Sequence, residues 1–302
     1  NAEMLAELQA INHNSSTRLN KFYKLTSDID ASATAGWNSG EGFFPIAAGD
    51  YFESGGFDGS GKTISNLSIN NTTSNTAGKV GLFSRLYNSD VHDLTLTYAD
   101  IQGKGSTGGI AAVAEDDFHF YNLNVEGDIS GDLIGTRGGI IGDAGDAGNN
   151  ARLDNVSFSG NVTGFDVGGI AGDGGKLVIN NIKVEASFIE GGVNSDIGGI
   201  FGEADPNAEI SNASVQVGDI REREGVGGAE GKIHGIVGGD DIDVSDTFVV
   251  ANTSNGNLRD SFTATDSYYS ESAQEYAGLT GLSGANMTGI AAVDAMDFDW
   301  GD

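Results

Sequence analysis

Short runs in which apolar and polar residues alternate recur along the chain, and each carries an asparagine or aspartate at the same place. They read Ile64-Ser65-Asn66-Leu67-Ser68-Ile69, Val91-His92-Asp93-Leu94, Phe120-Tyr121-Asn122-Leu123-Asn124-Val125 and Leu153-Asp154-Asn155-Val156. Ile179-Asn180-Asn181-Ile182-Lys183-Val184, Ile210-Ser211-Asn212-Ala213-Ser214-Val215 and Val244-Ser245-Asp246-Thr247-Phe248 continue the series. A period of two predicts strands with one buried face. The recurring Asn or Asp predicts a turn position, with stacked amides satisfying backbone groups from unit to unit.

A glycine motif keeps step with these runs. Val80-Gly81-Leu82-Phe83 begins it, Gly108-Gly109-Ile110, Gly138-Gly139-Ile140, Gly168-Gly169-Ile170 and Gly198-Gly199-Ile200 repeat it, and Gly235-Ile236 closes it. The apolar markers Leu82, Ile110, Ile140, Ile170, Ile200 and Ile236 are spaced by 28, 30, 30, 30 and 36 residues. Such a period marks a solenoid or a propeller. A propeller blade needs four antiparallel strands, whereas these units hold two or three short ones, so the repeat predicts a right-handed parallel β-helix of seven or eight coils. Ile140, Ile170 and Ile200 should then stack on one another inside it.

Composition narrows the picture. Glycine at 48 of 302 residues with only two prolines excludes a Pro-rich disordered chain and suits close backbone approach at coil corners. A solenoid extends as one unit for as long as repeats are added, so residues 1–302 are expected to form one domain. Within it, 1–56 would make an N-terminal cap and first strands, 57–250 the repeat coils, and 251–302 a last coil and cap. Met4, Leu5, Leu8 and Ile11 fall at helical spacing in Ala2 to Asn12, and Asn286 to Met296 offers a second short helix. Phe22 to Thr26 and Phe43 to Ile46 read as strands, and Phe57 to Lys62 as a tight turn.

The acidic balance is large: 44 Asp and Glu against 15 Lys and Arg, a net charge of −29. Nucleic acid and anionic membranes are poor partners for that field, whereas cations, basic groups and neutral sugars fit it. A charged surface also keeps a chain soluble in salty surroundings. There is no cysteine and no apolar run of membrane-spanning length, so neither disulfides nor membrane insertion is expected. No signal peptide precedes Asn1, which suits a mature segment or an excised piece.

The run Phe57-Asp58-Gly59-Ser60-Gly61-Lys62-Thr63-Ile64-Ser65-Asn66, then Val80-Gly81-Leu82-Phe83, then repeated Gly-Gly-Ile-x-Gly, resembles proteins with GLUG motifs. So do the opening Tyr23 to Asp30 and the closing Gly278 to Met287. The resemblance implies a β-solenoid carried on large bacterial surface or secreted proteins, adhesins and some proteases among them, and no catalytic residue. One departure is the acidic residue three places after the marker, at Asp143, Asp173 and Glu203.

Those acids define the candidate site. Glu115, Asp116, Asp143, Asp146, Asp173, Glu203, Asp205, Asp240 and Asp241 each follow a glycine motif and would lie above one another as a stripe at about 4.8 Å per coil. Calcium is the ion such oxygen-rich loops would take; a solvated edge without an ion is the alternative. The histidines, His13, His92, His119 and His234, lack zinc-ligand spacing. The expected function is a non-catalytic binding or spacer module of a bacterial cell-surface adhesin. It would be extracellular and monomeric, with a glycan or another cell-surface ligand as partner. The alternative is a polysaccharide lyase or glycoside hydrolase, for which Arg137, Arg152, Lys176 and Lys183 would supply cations.

Overall fold

The computed structural model describes residues 5–11, 19–71, 78–132, 134–223, 232–238 and 242–251, with the short strands Thr263–Thr265, Tyr268–Ser270 and Thr280–Leu282. The chain winds through about seven turns of a parallel β-solenoid. Three faces are built from successive coils, and every named strand pair is parallel.

The long face holds Gly56–Ser65, Asp90–Gly103, His119–Gly131, Arg152–Ser159, Val178–Ala186, Glu209–Val217 and Asp243–Ala251 in spatial order. Alternation places one side chain in two inward, and the inward ones stack by register. Phe57, Val91, Phe120, Leu153, Ile179, Ile210 and Val244 form one such ladder, all buried. A ladder of this kind removes each apolar side chain from water against its equivalents above and below, about 1.5–3 kcal/mol per large residue.

Midway along these strands the backbone turns a corner through the left-handed region. Asp93, Asn122, Asn155, Asn181 and Asn212 have φ between 49° and 56°. Asn66, expected among them, follows Ser65, the partner of Thr97, and so stands outside this ladder, its Nδ2 donating to Asp30 Oδ1 at 3.1 Å. Asn tolerates that conformation, and its amide hydrogen-bonds the coil before. Asn122 Nδ2 donates to Asp93 Oδ1 at 2.8 Å, Asn155 to Asn122 at 2.8 Å and Asn181 to Asn155 at 3.1 Å. The amide ladder read from the sequence is therefore present.

The second face consists of Thr107–Gly108, Arg137–Gly138, Val167–Gly168, Asp196–Gly198 and Lys232–His234, and the third runs from Phe52–Glu53 to Phe201–Glu203. The Gly-Gly-Ile motif forms the corner between them. Close approach fixes its composition: a Cβ on Gly139 or Gly169 would overlap the carbonyl oxygen of the matching glycine one coil on, and one on Gly138 or Gly168 would overlap a carbonyl three residues ahead. Ile140, Ile170 and Ile200 are fully buried, and the Ile140 N–H donates to Ile170 O at 3.0 Å and that of Ile170 to Ile200 O at 2.9 Å.

At the N-terminal end Leu5–Ala10 is a helix, within the stretch the spacing predicts, and it buries Leu8. Its Gln9 side chain donates to Phe44 O at 3.0 Å and accepts from the Phe44 N–H at 2.9 Å. Phe43 to Ile46 is not a strand; it carries single bridges from Gly42 to Ile69 and from Ile46 to Phe83. The expected turn at Phe57 to Lys62 lies inside the strand Gly56–Ser65, where the register shifts between Asp58 and Lys62. The second helix, at Asn286 to Met296, lies outside the described residues.

Candidate functional site

The outer surface of the long face carries a shallow groove that runs along the solenoid axis. Two adjoining depressions of about 470 Å³ each compose it. One lies over Tyr98 to Asp100, Glu126 to Asp128 and Ser159, the other over Ser159 to Asn161, Glu185 to Ser187 and Gln216 to Gly218. Together they cross five consecutive coils, about 19 Å at the normal 4.8 Å interval. Small residues make the concavity: a Cβ on Gly127 would overlap the Ala99 backbone, and one on Gly160 the backbone of Gly127. The rim is polar and acidic, with Asp100, Glu126, Asp128 and Glu185, the last paired with Lys183 Nζ at 2.8 Å.

Tyr98 stands at one end, 69% exposed, with φ of 53°. The strand register moves there from Leu96↔Val125 to Ala99↔Gly127, so Thr97 and Tyr98 face the single residue Glu126. This is a β-bulge, a device that re-aims a side chain. A bulky residue in the left-handed region costs about 1–2 kcal/mol, and strain of that kind collects at functional positions.

A second cluster lies beyond the asparagine corner. The outward ladder there reads Lys24, Asp58, His92, Tyr121, Asp154, Asn180 and Ser211, with no residue type repeated between neighbours. His92 stacks flat on Tyr121, centroids 4.6 Å apart and planes within 2°, and His119 packs against the same ring at 4.5 Å. His119 Nε2 lies 2.7 Å from Asp154 Oδ2. His92 Nδ1 lies 2.8 Å from Asp93 Oδ2 and 3.8 Å from Asp58 Oδ1. Hydrogen bonds from Asn122 and His92 hold the Asp93 carboxyl below its ordinary pKa. Burial opposes ionisation of Asp58, but hydrogen bonds from Ser60 and Lys24 outweigh it, and its pKa also falls. Burial, with Asp93, Asp90 and Asp58 nearby, raises Tyr121, which keeps its proton at neutral pH.

The acidic edge forms in part. Asp143, Asp173 and Glu203 are register partners in adjacent coils of the third face. Asp143 accepts from the Gly145 N–H at 3.0 Å, Asp173 from Gly175 at 2.8 Å and Asp205 from Asn207 at 2.9 Å, each closing a turn on the residue two places ahead. Burial first, with Asp143 and Glu203 adding repulsion, pushes Asp173 up to about 6. Glu115 is paired with Arg85 at 3.0 Å, and the Asp116 N–H donates to Asp146 O at 3.0 Å farther round the coil. Among the described residues no three carboxylates of this set come within 4.8 Å of one another. Asp240 and Asp241 lie outside the described residues.

The cations weighed for catalysis do not gather. Arg137 is fully buried on the second face, in a ladder with Thr107, Val167 and Ile197. Its guanidinium donates to the carbonyls of Ile134, Gly135 and Gly103 at 3.0, 2.6 and 3.2 Å, and burial lowers its pKa to about 10. Arg152 sits on the long face beside His119 and Asp154, and Lys183 pairs with Glu185. His234 is buried in the second face, and His13 lies outside the described residues.

No protein-family model matches the chain. It is 41% identical over 148 residues to halomucin of Haloquadratum walsbyi; the match covers 46% of this chain and 2% of that protein. Among solved structures it resembles an IgA1 protease, with a TM-score of 0.64 and 20% identity over 90% of this chain and 21% of the other. It also resembles a Bacteroides ovatus protein described as a candidate immunoglobulin A1 protease, with a TM-score of 0.52 and 16% identity over 92% of this chain and 76% of that one. These structural likenesses show a shared solenoid fold. The chain therefore spans a small part of halomucin and about a fifth of the first structure.

Proposed function

We propose that the chain is a non-catalytic, extracellular β-solenoid module of a large surface protein, and that its axial groove binds a neutral or basic glycan strand. Tyr98 carries the reading. A bulge and a left-handed backbone hold an exposed aromatic ring at the end of a polar groove, where the ring has no core to fill. An aromatic ring with a polar edge suits stacking against a sugar ring. Asp100, Glu126 and Asp128 accept hydroxyl hydrogen bonds and repel anionic polysaccharides. Similarity to part of halomucin supports a module of a very long chain, and the GLUG-like motifs, which stay a resemblance, agree with a cell-surface adhesin. The dispersal of Arg137, Arg152 and Lys183 weakens the lyase or hydrolase alternative. Calcium along Asp143, Asp173 and Glu203 is part of the same proposal, as an ion that would stiffen the opposite edge.

A glycan array probed with the intact chain tests the reading. Retention of neutral or amino sugars by the natural chain and its loss in Tyr98→Ala and Asp128→Asn supports the groove. Retention unchanged in both variants would move the site elsewhere, and an empty array would leave a spacer.

A further inference from the structure

We propose that Asp58, His92 and Asp93 form a binding site for a divalent transition metal ion of the zinc class, on the outer long face and separate from the groove. One donor atom from each lies within 4.8 Å of the other two, a convergence found for no other group of three His, Asp or Glu among the described residues. The donors are one imidazole nitrogen, Nδ1 of His92, and two carboxylate oxygens, Asp93 Oδ2 at 2.8 Å and Asp58 Oδ1 at 3.8 Å from it.

Neighbouring groups hold these atoms toward a common point. The Ser60 N–H donates to Asp58 Oδ1 at 2.6 Å, and Lys24 Nζ binds the other oxygen at 3.2 Å. Asn122 Nδ2 donates to Asp93 Oδ1 at 2.8 Å, which leaves Oδ2 turned to the histidine. The His92 ring is clamped flat against Tyr121. All three ligands stand on strands rather than on loops, and their supporting hydrogen bonds are of the kind that orient metal ligands.

The donor set selects the ion. Imidazole with two carboxylates suits zinc and its first-row neighbours, whereas calcium takes six to eight oxygen ligands. Without metal, Nδ1–H donates to Asp93. With metal, the ring proton moves to Nε2, the Nδ1 lone pair turns to the ion, and that hydrogen bond is replaced by two carboxylate contacts. Three protein ligands leave coordination positions open to water or to a ligand oxygen. Lys24, on a half-exposed side chain, is free to swing away as the ion neutralises Asp58.

Calorimetric titration of chelator-treated chain with zinc chloride at pH 7, in salt high enough to screen the surface acids, tests the site. Calcium chloride forms a separate arm, and Asp58→Asn and His92→Gln are run beside the natural chain. One saturable zinc ion per chain, weakened at least about tenfold in either variant, is expected, with His92 ring resonances shifting on zinc addition while those of His119 hold still. Absence of a saturable zinc site, calcium binding as tightly as zinc, or a His92 spectrum unmoved by zinc overturns the proposal. The resonance shift is read on the natural chain and decides the matter even where a variant fails to fold.

Discussion

The glycine corner and the outer side of the long face are made by the same coils, yet one is nearly identical from coil to coil and the other changes residue type from Lys24 through Ser211. At the corner, Gly138, Gly168 and Gly198 stand in register, and a side chain there would collide with the next coil. On the outer face Asp58, His92, Tyr121 and Asp154 occupy equivalent places with different chemistry. Repetition marks where packing dictates the residue, and its loss marks where the surface has been free to specialise. The corner therefore teaches the fold, and the outer face holds the candidate sites.

The largest test of this contrast is Ile170→Asp. It places an unpaired charge between Ile140 and Ile200 and is expected to abolish the cooperatively folded state in circular dichroism, whereas Ile170→Val costs about 0.5–1.5 kcal/mol. Gly169→Ala comes next. Its methyl group meets the Gly199 carbonyl and Val184, and a denaturant melt should show a loss of about 3 kcal/mol, far above a surface change.

Asp173 sharpens the contrast through pH. Folding raises its pKa from 3.8 to about 6, so the folded state binds the proton more tightly, and stability falls as pH rises between about 4 and 6. Asp173→Asn should remove that slope and add about 1–3 kcal/mol at pH 7. Melts of the two proteins across pH 3.5–7.5 check it, and parallel slopes would show that burial does not govern this carboxyl. Added calcium should also stabilise the natural chain, and the variant less, if the ion binds this edge.

The smallest expected effect is also a gain in stability. Tyr98→Gly relieves a left-handed backbone strain and should raise stability by about 1 kcal/mol while removing the ring that the groove presents. A residue kept for packing would lose stability on the same change.

These differences explain what was legible in the sequence. The thirty-residue glycine spacing located the coils, the buried isoleucine stack and the asparagine ladder, because backbone contact between coils allows few residue types there. The N-terminal helix was legible in its apolar spacing, but its docking through Gln9 to Phe44 depends on a contact 35 residues away. Asp58, His92, Tyr121 and Asp154 are separated by 34, 29 and 33 residues, since loop length varies from coil to coil. Their meeting follows only once the strand register is known. Asp143, Asp173 and Glu203 share one register position, each three residues after its marker isoleucine, whereas Glu115 and Asp116 fall farther round the coil because they stand five and six residues after Ile110, and Val113 is the partner of Asp143. Tyr98 gave no sequence signal, because a bulge depends on the partner strand being one residue shorter.

Binding without cleavage along the axis is the central functional claim. Its most direct test is calorimetry with a length series of the neutral or amino-sugar oligosaccharide retained on the array, followed by mass spectrometry of the recovered sugar. The groove predicts affinity that rises with chain length until the five coils are spanned, then levels off, with every oligosaccharide recovered intact. Shortened products, or affinity independent of length, would contradict it.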